Sequence, residues 1–289
     1  MTAVRMDGKV VAEKVRGEVA KDVEAFGAPV CLATILVGDD PASHIYVGWK
    51  HKAAAEAGIE TRDHRLPEST SESEVLELLE ELSADDGVDG ILVQLPLPAH
   101  VDEPRVISAI GPDKDVDGLH PLNSGRLFLG QPLFVPATPL GIMRMLEEYD
   151  IELEGRDAVV VGRSELAGKP MAMLLLAANA TVTVCHSRTA DLAAHTRRAE
   201  ILVVAVGRPG TVTPEMVKPG AVVVDIGVNR TEAGVVGDVD RAVAEVAGHL
   251  TPVPGSVGPM TIAMLLRNTL TAAQHRRQSD RTGVAVPGS

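Results

Sequence analysis

Short apolar runs alternate with helical segments along the chain, and this alternation restricts the fold more than any other property of the sequence. Residues 30–37 (VCLATILV) form a continuous apolar run that ends at a Gly-Asp-Asp-Pro turn (38–41), and a helical pattern over 43–57 follows. Fully apolar strands separated by helices are typical of parallel sheets, which are covered on both faces. The sequence therefore predicts an α/β fold.

The alternation continues in two series. Further strands are predicted over 90–95, 158–161, 181–185, 201–206 and 221–226, and further helices over 11–26, 75–82, 140–149 and 259–273. A stretch rich in Gly, Pro and Asp between Gly111 and Pro139 separates the two series, and its length indicates a functional segment and a domain junction. We therefore predict two domains, 1–138 plus 257–289 and 139–256. We also predict that the last helix returns to the first domain and that 275–289 form a mobile tail.

Composition argues against several classes of function. The chain has 27 Lys and Arg against 40 Asp and Glu, and its net charge of −13 disfavours binding to nucleic acid or to an anionic membrane. Aromatic residues make up 2%, too few for a stacking platform that reads bases. Cys31 and Cys185 lie in apolar runs, which indicates buried thiols. No run approaches the ~18 apolar residues of a spanning helix and no signal peptide is evident, so we expect a cytoplasmic protein.

The segment 159–170 (VVVGRSELAGKP) combines an apolar strand, a tight turn at Gly162 and the start of a helix. It resembles the first turn of a Rossmann-type dinucleotide domain only loosely, because the pattern G-x-G-x-x-G is absent. Backbone N–H groups at the start of a helix attract anions, and Arg163 and Ser164 add hydrogen-bond donors. We predict a phosphate-binding turn, and an ordinary strand–helix corner is the alternative.

The end of the next strand predicts which dinucleotide would bind. Domains that bind NAD usually place an Asp or Glu about 20 residues after the turn, where it contacts the ribose 2′-hydroxyl. Here the segment 185–189 (CHSRT) contains no acid. Ser187 and Arg188 could instead hold a dianionic phosphate together with Arg163, which favours NADP over NAD. A solvated surface arginine is the alternative.

The first half of the chain contains a second group of candidate residues. Tyr46 and Lys50 are four residues apart on a predicted helix and so share a face. Gln94 lies in an apolar strand, where its amide needs a partner or a ligand. The loop 112–121 (PDKDVDGLHP) crowds carboxylates, among them Asp117, that could accept hydrogen bonds from a donor-rich ring. A surface lysine beside a half-buried tyrosine is the alternative for the helix, and a metal site is the alternative for the loop.

Five motifs in combination are more specific than any one of them. They occur in the order YVGWK (46–50), VQLPLP (93–98), PDKDVDGLHP (112–121), GRSELAGKP (162–170) and TPVPGSVGPMT (251–261). The last motif by itself suits either a ligand crevice or a domain hinge. The combination resembles the bifunctional methylenetetrahydrofolate dehydrogenase/methenyltetrahydrofolate cyclohydrolase family, from about Asp7 to Ala273.

The resemblance implies both an architecture and an activity. It implies an N-terminal α/β substrate domain for folate and a Rossmann-like parallel-sheet domain for NADP. The implied reactions are oxidation of 5,10-methylenetetrahydrofolate to the methenyl form and hydrolysis of that product to 10-formyltetrahydrofolate. These reactions belong to one-carbon metabolism, which supplies purine and amino-acid biosynthesis. A homodimer without a metal is also implied.

The resemblance further implies roles for single residues. Lys50 matches the essential lysine of the cyclohydrolase step, and Gln94 matches the glutamine that positions and tunes it. Tyr46 matches a tyrosine that stacks on folate, and Asp117 matches the residue that hydrogen-bonds the pterin. The implied sets are catalytic Lys50, Gln94 and Asp117; substrate-binding Tyr46, Ser43, Pro254 and Gly255; and cofactor-binding Gly162, Arg163, Ser164, Ser187, Arg188 and Val228.

The sequence departs from the family pattern at a few positions. Ser256 stands where many relatives have glycine, and a Cβ at a positive φ would cost about 1 kcal/mol or more, so we expect altered ligand affinity. Ala137 and Leu166-Ala167 also differ, and we expect them to affect packing only. Two other hypotheses stay open: a dehydrogenase of another small substrate, such as a shikimate-type acid, and a catalytically silent nucleotide-binding protein.

Overall fold

Every strand pairing in the two larger sheets is parallel, as the sequence predicts. The computed structural model describes residues 2–232 and 234–282. One unit falls within Met1–Ala12 and Thr138–Thr261, and the other falls within Glu13–Ala137 and Ile262–Ser289. The domain bounds that we predict from the sequence, after residues 138 and 256, stay a prediction.

Nine α-helices and two short 3₁₀ segments occur in the described residues. The helices are α1 (Gly8–Phe26), α2 (Pro41–Glu56), α3 (Glu72–Ala84), α4 (Glu103–Ala109), α5 (Pro121–Phe128), α6 (Ala137–Glu148), α7 (Gly168–Ala177), α8 (Leu192–Thr196) and α9 (Val257–Thr282). The 3₁₀ segments cover Pro214–Met216 and Arg241–Glu245. Within 2–232 and 234–282, no helix combines the length and the apolar character needed to cross a membrane.

The strands form two parallel sheets and one hairpin. They are β1 (Val4–Arg5), β2 (Cys31–Val37), β3 (Glu60–Leu66), β4 (Gly90–Val93), β5 (Asp157–Val161), β6 (Thr181–Cys185), β7 (Ile201–Val204), β8 (Val222–Asp225), β9 (Asn229–Thr231), β10 (Gly234–Val236) and β11 (His249–Leu250). β9 and β10 pair in antiparallel fashion as the hairpin.

The unit that contains Glu13–Ala137 is built on a three-stranded sheet in the order β3-β2-β4. All seven residues of the central strand β2 are buried, so both faces of the sheet are covered at its centre. Ile35 of β2 and Ile91 of β4 share a core cluster with Leu79 of α3 and Val106 of α4. The apolar runs read from the sequence thus become the core of this unit.

The unit that contains Thr138–Thr261 is built on a six-stranded sheet in the order β1-β11-β8-β7-β5-β6. β5 pairs with β6 on one side and with β7 on the other, so the direction in which the chain adds strands reverses at β5. Open parallel sheets bind ligands at the carboxyl ends of their strands beside such a reversal. Topology alone therefore marks the turn after β5 as a ligand site.

The carboxyl-terminal helix ends later than the sequence predicts. From Ile262 onward α9 belongs to the unit that contains β2 to β4, which confirms its predicted return. Residues 275–282, where the sequence predicts the start of a mobile tail, are helical, and Arg276 is anchored there; the mobility itself stays a prediction. The Arg276 guanidinium donates to the Val88 carbonyl at 2.5 Å and to Asp89 at 3.2 Å. The rest of the predicted tail, 283–289, lies outside the described residues.

Candidate functional site

Lys50 and Gln94 are joined directly although 44 residues separate them in the sequence. Lys50 lies on α2, and its Nζ donates a hydrogen bond to Gln94 Oε1 at 2.9 Å. Gln94 directly follows β4, and its Nε2 donates to the Leu95 carbonyl at 2.8 Å. Because both ends of the amide are engaged, its oxygen is the atom that faces the lysine. The predicted pair is therefore brought together by the fold.

The turn before α2 fixes the start of the helix that carries Lys50. Asp40 caps the helix, because its Oδ2 accepts hydrogen bonds from the Ser43 backbone N–H and hydroxyl, both at 2.8 Å. Pro41 occupies the first helical turn, where its missing N–H is not needed. Ser43, predicted to bind substrate, is buried with its hydroxyl donating into the cap. Its role toward substrate stays a prediction.

Lys50 and Asp117 shift each other's ionisation. Burial lowers the pKa of Lys50 below the ordinary lysine value, and the Asp117 charge opposes that shift. Burial also raises the pKa of Asp117, with Lys50 opposing the rise and Asp115 adding to it. Both side chains remain partly exposed. A lysine with a lowered pKa has more of its neutral amine at neutral pH, which suits proton exchange with a substrate.

The loop that carries Asp117 is held by its buried neighbours. Asp115 accepts two backbone N–H groups of its own loop and the Asn123 amide at 2.8–3.2 Å. Lys114 donates to two carbonyls at the end of α3 at 2.7 and 3.0 Å, and burial lowers its pKa to about 8. These protein contacts occupy both residues, which argues against the metal alternative. No group of three His, Cys, Asp or Glu in the described chain could hold a metal ion.

Two aromatic side chains lie beside Lys50 on α2. The ring centroids of Tyr46 and Trp49 are 5.3 Å apart and their planes meet at 76°, an edge-to-face contact. Tyr46 is half-buried, whereas Trp49 exposes 54% of its surface. Sequence reasoning singled out Tyr46 and missed Trp49. The sequence does contain a signal for Trp49, because the single tryptophan of the chain lies between the predicted tyrosine and the predicted lysine.

The predicted phosphate-binding turn lies where the sheet order reverses. Gly162 follows β5 with a φ of +130°, and a Cβ there would lie 2.2 Å from the Ala205 carbonyl oxygen. A Cβ on Gly168, the first residue of α7, would lie 2.4 Å from the Gly162 oxygen. Both positions need glycine because the turn packs tightly against its neighbours. The close approach of strand and helix is thus achieved without the usual glycine pattern.

The predicted cofactor residues lie at the carboxyl ends of three strands. Arg163 and Ser164 follow β5, Ser187 and Arg188 follow the adjacent β6, and Val228 follows β8; all five are exposed. In the described part of the chain, the Arg163 and Arg188 guanidinium groups make no ion pair or hydrogen bond. Two unpaired cations with neighbouring hydroxyls, and no acid within 185–189, fit the 2′-phosphate of NADP.

Two buried aspartates that sequence reasoning missed hold the loops beside this turn. Asp225 ends β8 and accepts three backbone N–H groups at 2.9–3.0 Å, among them that of Asp238. Asp238 accepts the N–H groups of residues 206–208 at 2.7–2.9 Å and the Asn229 amide at 2.8 Å. Burial raises the pKa of Asp225 to about 6. The loop over 206–208 follows β7, so these carboxylates fix the chain next to Gly162.

The loop 251–256, before α9, corrects one expectation. Gly255 has a φ of +107°, and a Cβ there would lie 3.0 Å from the Lys9 side chain. Ser256 does not have a positive φ, so the strain predicted for it is wrong: the left-handed position is its neighbour. Ser256 is buried instead, and its hydroxyl donates to the Met6 carbonyl at 3.1 Å. Pro254 is exposed and Gly255 half-buried, and their substrate role stays a prediction.

Comparison with known proteins identifies the family. A family model described as "Tetrahydrofolate dehydrogenase/cyclohydrolase, catalytic domain" matches residues 6–117. The corresponding "NAD(P)-binding domain" model matches residues 136–277. The bifunctional protein FolD 3 of Rhizorhabdus wittichii is 56% identical over 98% of this chain and 95% of its own length. The chain belongs to the tetrahydrofolate dehydrogenase/cyclohydrolase family.

Solved structures of the tetrahydrofolate dehydrogenase/cyclohydrolase family agree with the fold. The bifunctional FolD of Campylobacter jejuni is 48% identical and superposes with a TM-score of 0.92 over 95% of this chain and 99% of its own. The Trypanosoma brucei dehydrogenase-cyclohydrolase, solved with NADP and an inhibitor, is 38% identical with a TM-score of 0.91 over 96% and 99%. The predicted family and the predicted α/β fold are confirmed.

The two family-model matches also divide the candidate residues. Lys50, Gln94 and Asp117 fall within the catalytic-domain match. Gly162 and Arg188, with the other predicted cofactor residues, fall within the NAD(P)-binding match. The predicted catalytic residues and the predicted cofactor residues thus lie in segments that match different domain models of the family, whereas the predicted substrate residues Pro254 and Gly255 lie in the NAD(P)-binding match.

Proposed function

We propose that this family member is a bifunctional folate enzyme. It oxidises 5,10-methylenetetrahydrofolate to 5,10-methenyltetrahydrofolate with NADP, and it hydrolyses that product to 10-formyltetrahydrofolate. The observation that carries the proposal is the hydrogen bond that Lys50 donates to Gln94, made by a lysine whose pKa is lowered by burial and whose charge interacts with that of Asp117. The relatives named bifunctional FolD and both family-model matches support it.

Hydrolysis needs a group that accepts a proton from the attacking water. The neutral Lys50 amine takes that proton as the water oxygen bonds to the methenyl carbon. The new hydroxyl group on this carbon then loses its proton as the bond from the carbon to N5 breaks and N5 receives a proton, so the carbonyl of a formyl group forms on N10. Of the two protons of the water, one ends on N5 and the other is released. The reaction adds one water and releases one proton. A lysine with the ordinary pKa of ~10.4 is almost fully protonated at neutral pH, so the lowered pKa makes this role possible.

Asp117 and Tyr46 serve substrate binding in this proposal. The Asp117 carboxylate accepts no hydrogen bond from the described residues, so its oxygens are available to the N–H groups of the pterin. The Tyr46 ring offers a face on which a flat folate ring can stack. Ser43, Pro254 and Gly255 are the further substrate residues that we propose from the family resemblance.

Oxidation relies on orientation more than on side-chain chemistry. NADP supplies the nicotinamide carbon that accepts the hydride from the one-carbon bridge. Arg163, Ser187 and Arg188 hold the 2′-phosphate, and the turn at Gly162 and Ser164 presents backbone and hydroxyl donors. Val228 is assigned to the cofactor by the same resemblance. Hydride transfer needs no proton donor or acceptor from the protein. These residues therefore bind and orient the cofactor.

An absorbance assay of the purified protein tests both activities. We expect reduction of NADP in preference to NAD when 5,10-methylenetetrahydrofolate is added, and faster decay of added methenyltetrahydrofolate than in buffer. Lys50→Met should abolish this decay while folate binding is partly retained. Normal hydrolysis by Lys50→Met contradicts the lysine role. Reduction without hydrolysis indicates a monofunctional dehydrogenase, and neither signal, with a working control enzyme, contradicts the proposed function.

A homodimer is the assembly that we propose. β6 is an edge strand of the six-stranded sheet, and within the described residues its outer side has no strand partner. Val184 of this strand is 43% exposed. An open apolar edge suits association with a second copy. Light scattering should give twice the mass of one chain, and the mass of one chain contradicts the dimer.

The cytoplasmic location and the link to purine and amino-acid biosynthesis stay predictions.

A further inference from the structure

We propose that Trp49 is a positioning residue of the folate site, which it serves by holding the ring of Tyr46. The inference rests on the proposed function, because that function gives Tyr46 its contact with substrate. It names a residue that determines how tightly the flat, aromatic part of a tetrahydrofolate is bound. The observations that carry it are the exposure of Trp49, its contact with Tyr46 and the position of both on α2 beside Lys50.

Trp49 is not required to pack the core. It is the single tryptophan in a chain with only two tyrosines and three phenylalanines, yet it exposes 54% of its surface. The buried side of α2 is formed by other residues: Ser43, Val47, Ala53 and Ala54. The indole of Trp49 therefore lies at the surface of α2, next in the sequence to Lys50. Its described ring contact is with Tyr46.

The contact has the geometry that aromatic pairs prefer. Tyr46 and Trp49 are three residues apart on the helix, so their side chains are neighbours. The centroid distance of 5.3 Å and the interplanar angle of 76° are those of an edge-to-face pair. Such a pair limits rotation of the Tyr46 ring before a ligand arrives. The ring therefore loses less conformational freedom when a ligand stacks on it, which favours binding.

The expected kinetic signature follows from where Tyr46 acts. The Tyr46 ring contacts the bound folate but does not exchange protons or electrons with it. Its contribution is therefore similar in the ground state and in the transition state, and weakening it raises KM and leaves kcat nearly unchanged. Because Trp49 acts through Tyr46, substitution of Trp49 should likewise raise KM and leave kcat nearly unchanged.

Steady-state kinetics with matched variants test this role. We expect Trp49→Ala to raise the KM for 5,10-methylenetetrahydrofolate about three- to tenfold, with kcat and the KM for NADP within about twofold of wild type. Trp49→Phe keeps an aromatic edge and should restore most of the affinity. Phe128→Ala is the control, because Phe128 is another exposed aromatic residue at 74% and should leave the folate KM unchanged. An unchanged folate KM in Trp49→Ala overturns the proposal.

A double-mutant cycle separates action through Tyr46 from an independent effect. In a Tyr46→Ala background, Trp49→Ala should raise the folate KM by less than about twofold further, because the ring that it positions is gone. Equal factors in both backgrounds overturn the proposal, since Trp49 would then act on its own. A general loss of helix packing would also give equal factors.

Tryptophan fluorescence provides a readout that does not depend on turnover. The single tryptophan lies 5.3 Å from the Tyr46 ring, so titration with 5-formyltetrahydrofolate, a folate that is not turned over, should change its emission in a saturable way. A wild type without activity and without this change contradicts the proposed function and the inference together. A fully active wild type whose Trp49→Ala variant is unaffected contradicts the inference alone.

Discussion

Gln94 accepts the hydrogen bond of Lys50 through a single oxygen atom, so a substitution at Gln94 changes the charge next to the lysine. Gln94→Glu would place a carboxylate near the lysine Nζ, now 2.9 Å from the amide oxygen, and an opposite charge at this distance raises a lysine pKa by about one to three units. Because the proposed hydrolysis uses the neutral Lys50 amine, hydrolytic activity should fall at pH 7, and its increase with pH should move to higher pH. The pH dependence of methenyltetrahydrofolate decay measures this shift. Gln94→Leu controls for loss of the hydrogen bond, and a profile that stays in place in Gln94→Glu contradicts the role of Lys50.

Single residues were predictable where their chemistry conflicts with their surroundings. An amide inside an apolar strand needs a partner, and this conflict marks Gln94 from its sequence neighbours alone. Asp225 and Asp238 give no such signal, because acids after a strand are common. Their role depends on backbone N–H groups that the fold brings from as far as 32 residues away. Ser256 shows the opposite error, because a sequence pattern does not say which of two neighbouring residues has the positive φ.

The carboxyl end of β6 carries the predicted preference for NADP. Arg188→Ala should raise the KM for NADP about ten- to a hundredfold, the size expected for loss of a charge-assisted hydrogen bond to a phosphate. NAD lacks the 2′-phosphate and serves as the control ligand, so its KM should change less than about twofold. Dehydrogenase kinetics with both cofactors measure the difference. An equal change for NADP and NAD would show that Arg188 does not contact the 2′-phosphate.

Ionisation of Asp225, at the carboxyl end of β8, lowers the stability of the folded protein. The pKa of Asp225 is about 6 in the folded protein, above its ordinary value of 3.8. The folded state therefore holds the proton more tightly, and stability is lost as the pH rises from about 4 to 6, by up to about 3 kcal/mol. Asp225→Asn removes this dependence, although it also weakens the hydrogen bonds to the loop. Thermal unfolding between pH 4 and 6 measures the change. The exposed Asp240→Asn is the control and should keep the wild-type slope.

Strands were predictable where an apolar or β-branched run marks them in the sequence. β2 and β4 bury every residue, and their apolar runs mark them in the sequence. β3 (ETRDHRL) has no fully buried residue and was not predicted. It is an edge strand that pairs with β2 along its whole length through backbone hydrogen bonds, which leave no side-chain pattern. The two-residue strands β1 and β11 are likewise too short to show a side-chain pattern.

At the scale of the molecule, the last helix, α9, stabilises the unit built on the sheet β3-β2-β4, although that sheet lies far from α9 in the sequence. Arg276→Ala removes the donor to the Val88 carbonyl and the partner of Asp89, which exposes only 3% of its side chain. We expect the free energy of unfolding to fall by about 2–4 kcal/mol, because a buried carboxylate loses its cation. Denaturant unfolding measures the loss. Lys52→Ala breaks an exposed ion pair with Glu56 and should cost less than about 0.5 kcal/mol.

An unchanged unfolding free energy in Arg276→Ala would show that the end of α9 adds nothing to the fold. The return of this helix was predictable from its place after all the strands and from its apolar spacing. Its extension beyond residue 273 was not, because Arg276 and Arg277 hold that end through polar contacts with distant parts of the chain, which leave no apolar periodicity in the sequence.

The exposure of Arg163 and Arg188 has a consequence for how such an enzyme can evolve. Substitutions at surface positions without packing contacts usually change stability by less than about 0.5 kcal/mol. Selection could therefore exchange these two side chains one step at a time, with little effect on folding. The buried Asp225 and Asp238 have no such freedom, because each holds several backbone groups. With Arg163 and Arg188 in the proposed role, a lineage with this fold can thus change which electron carrier it uses while its scaffold is preserved.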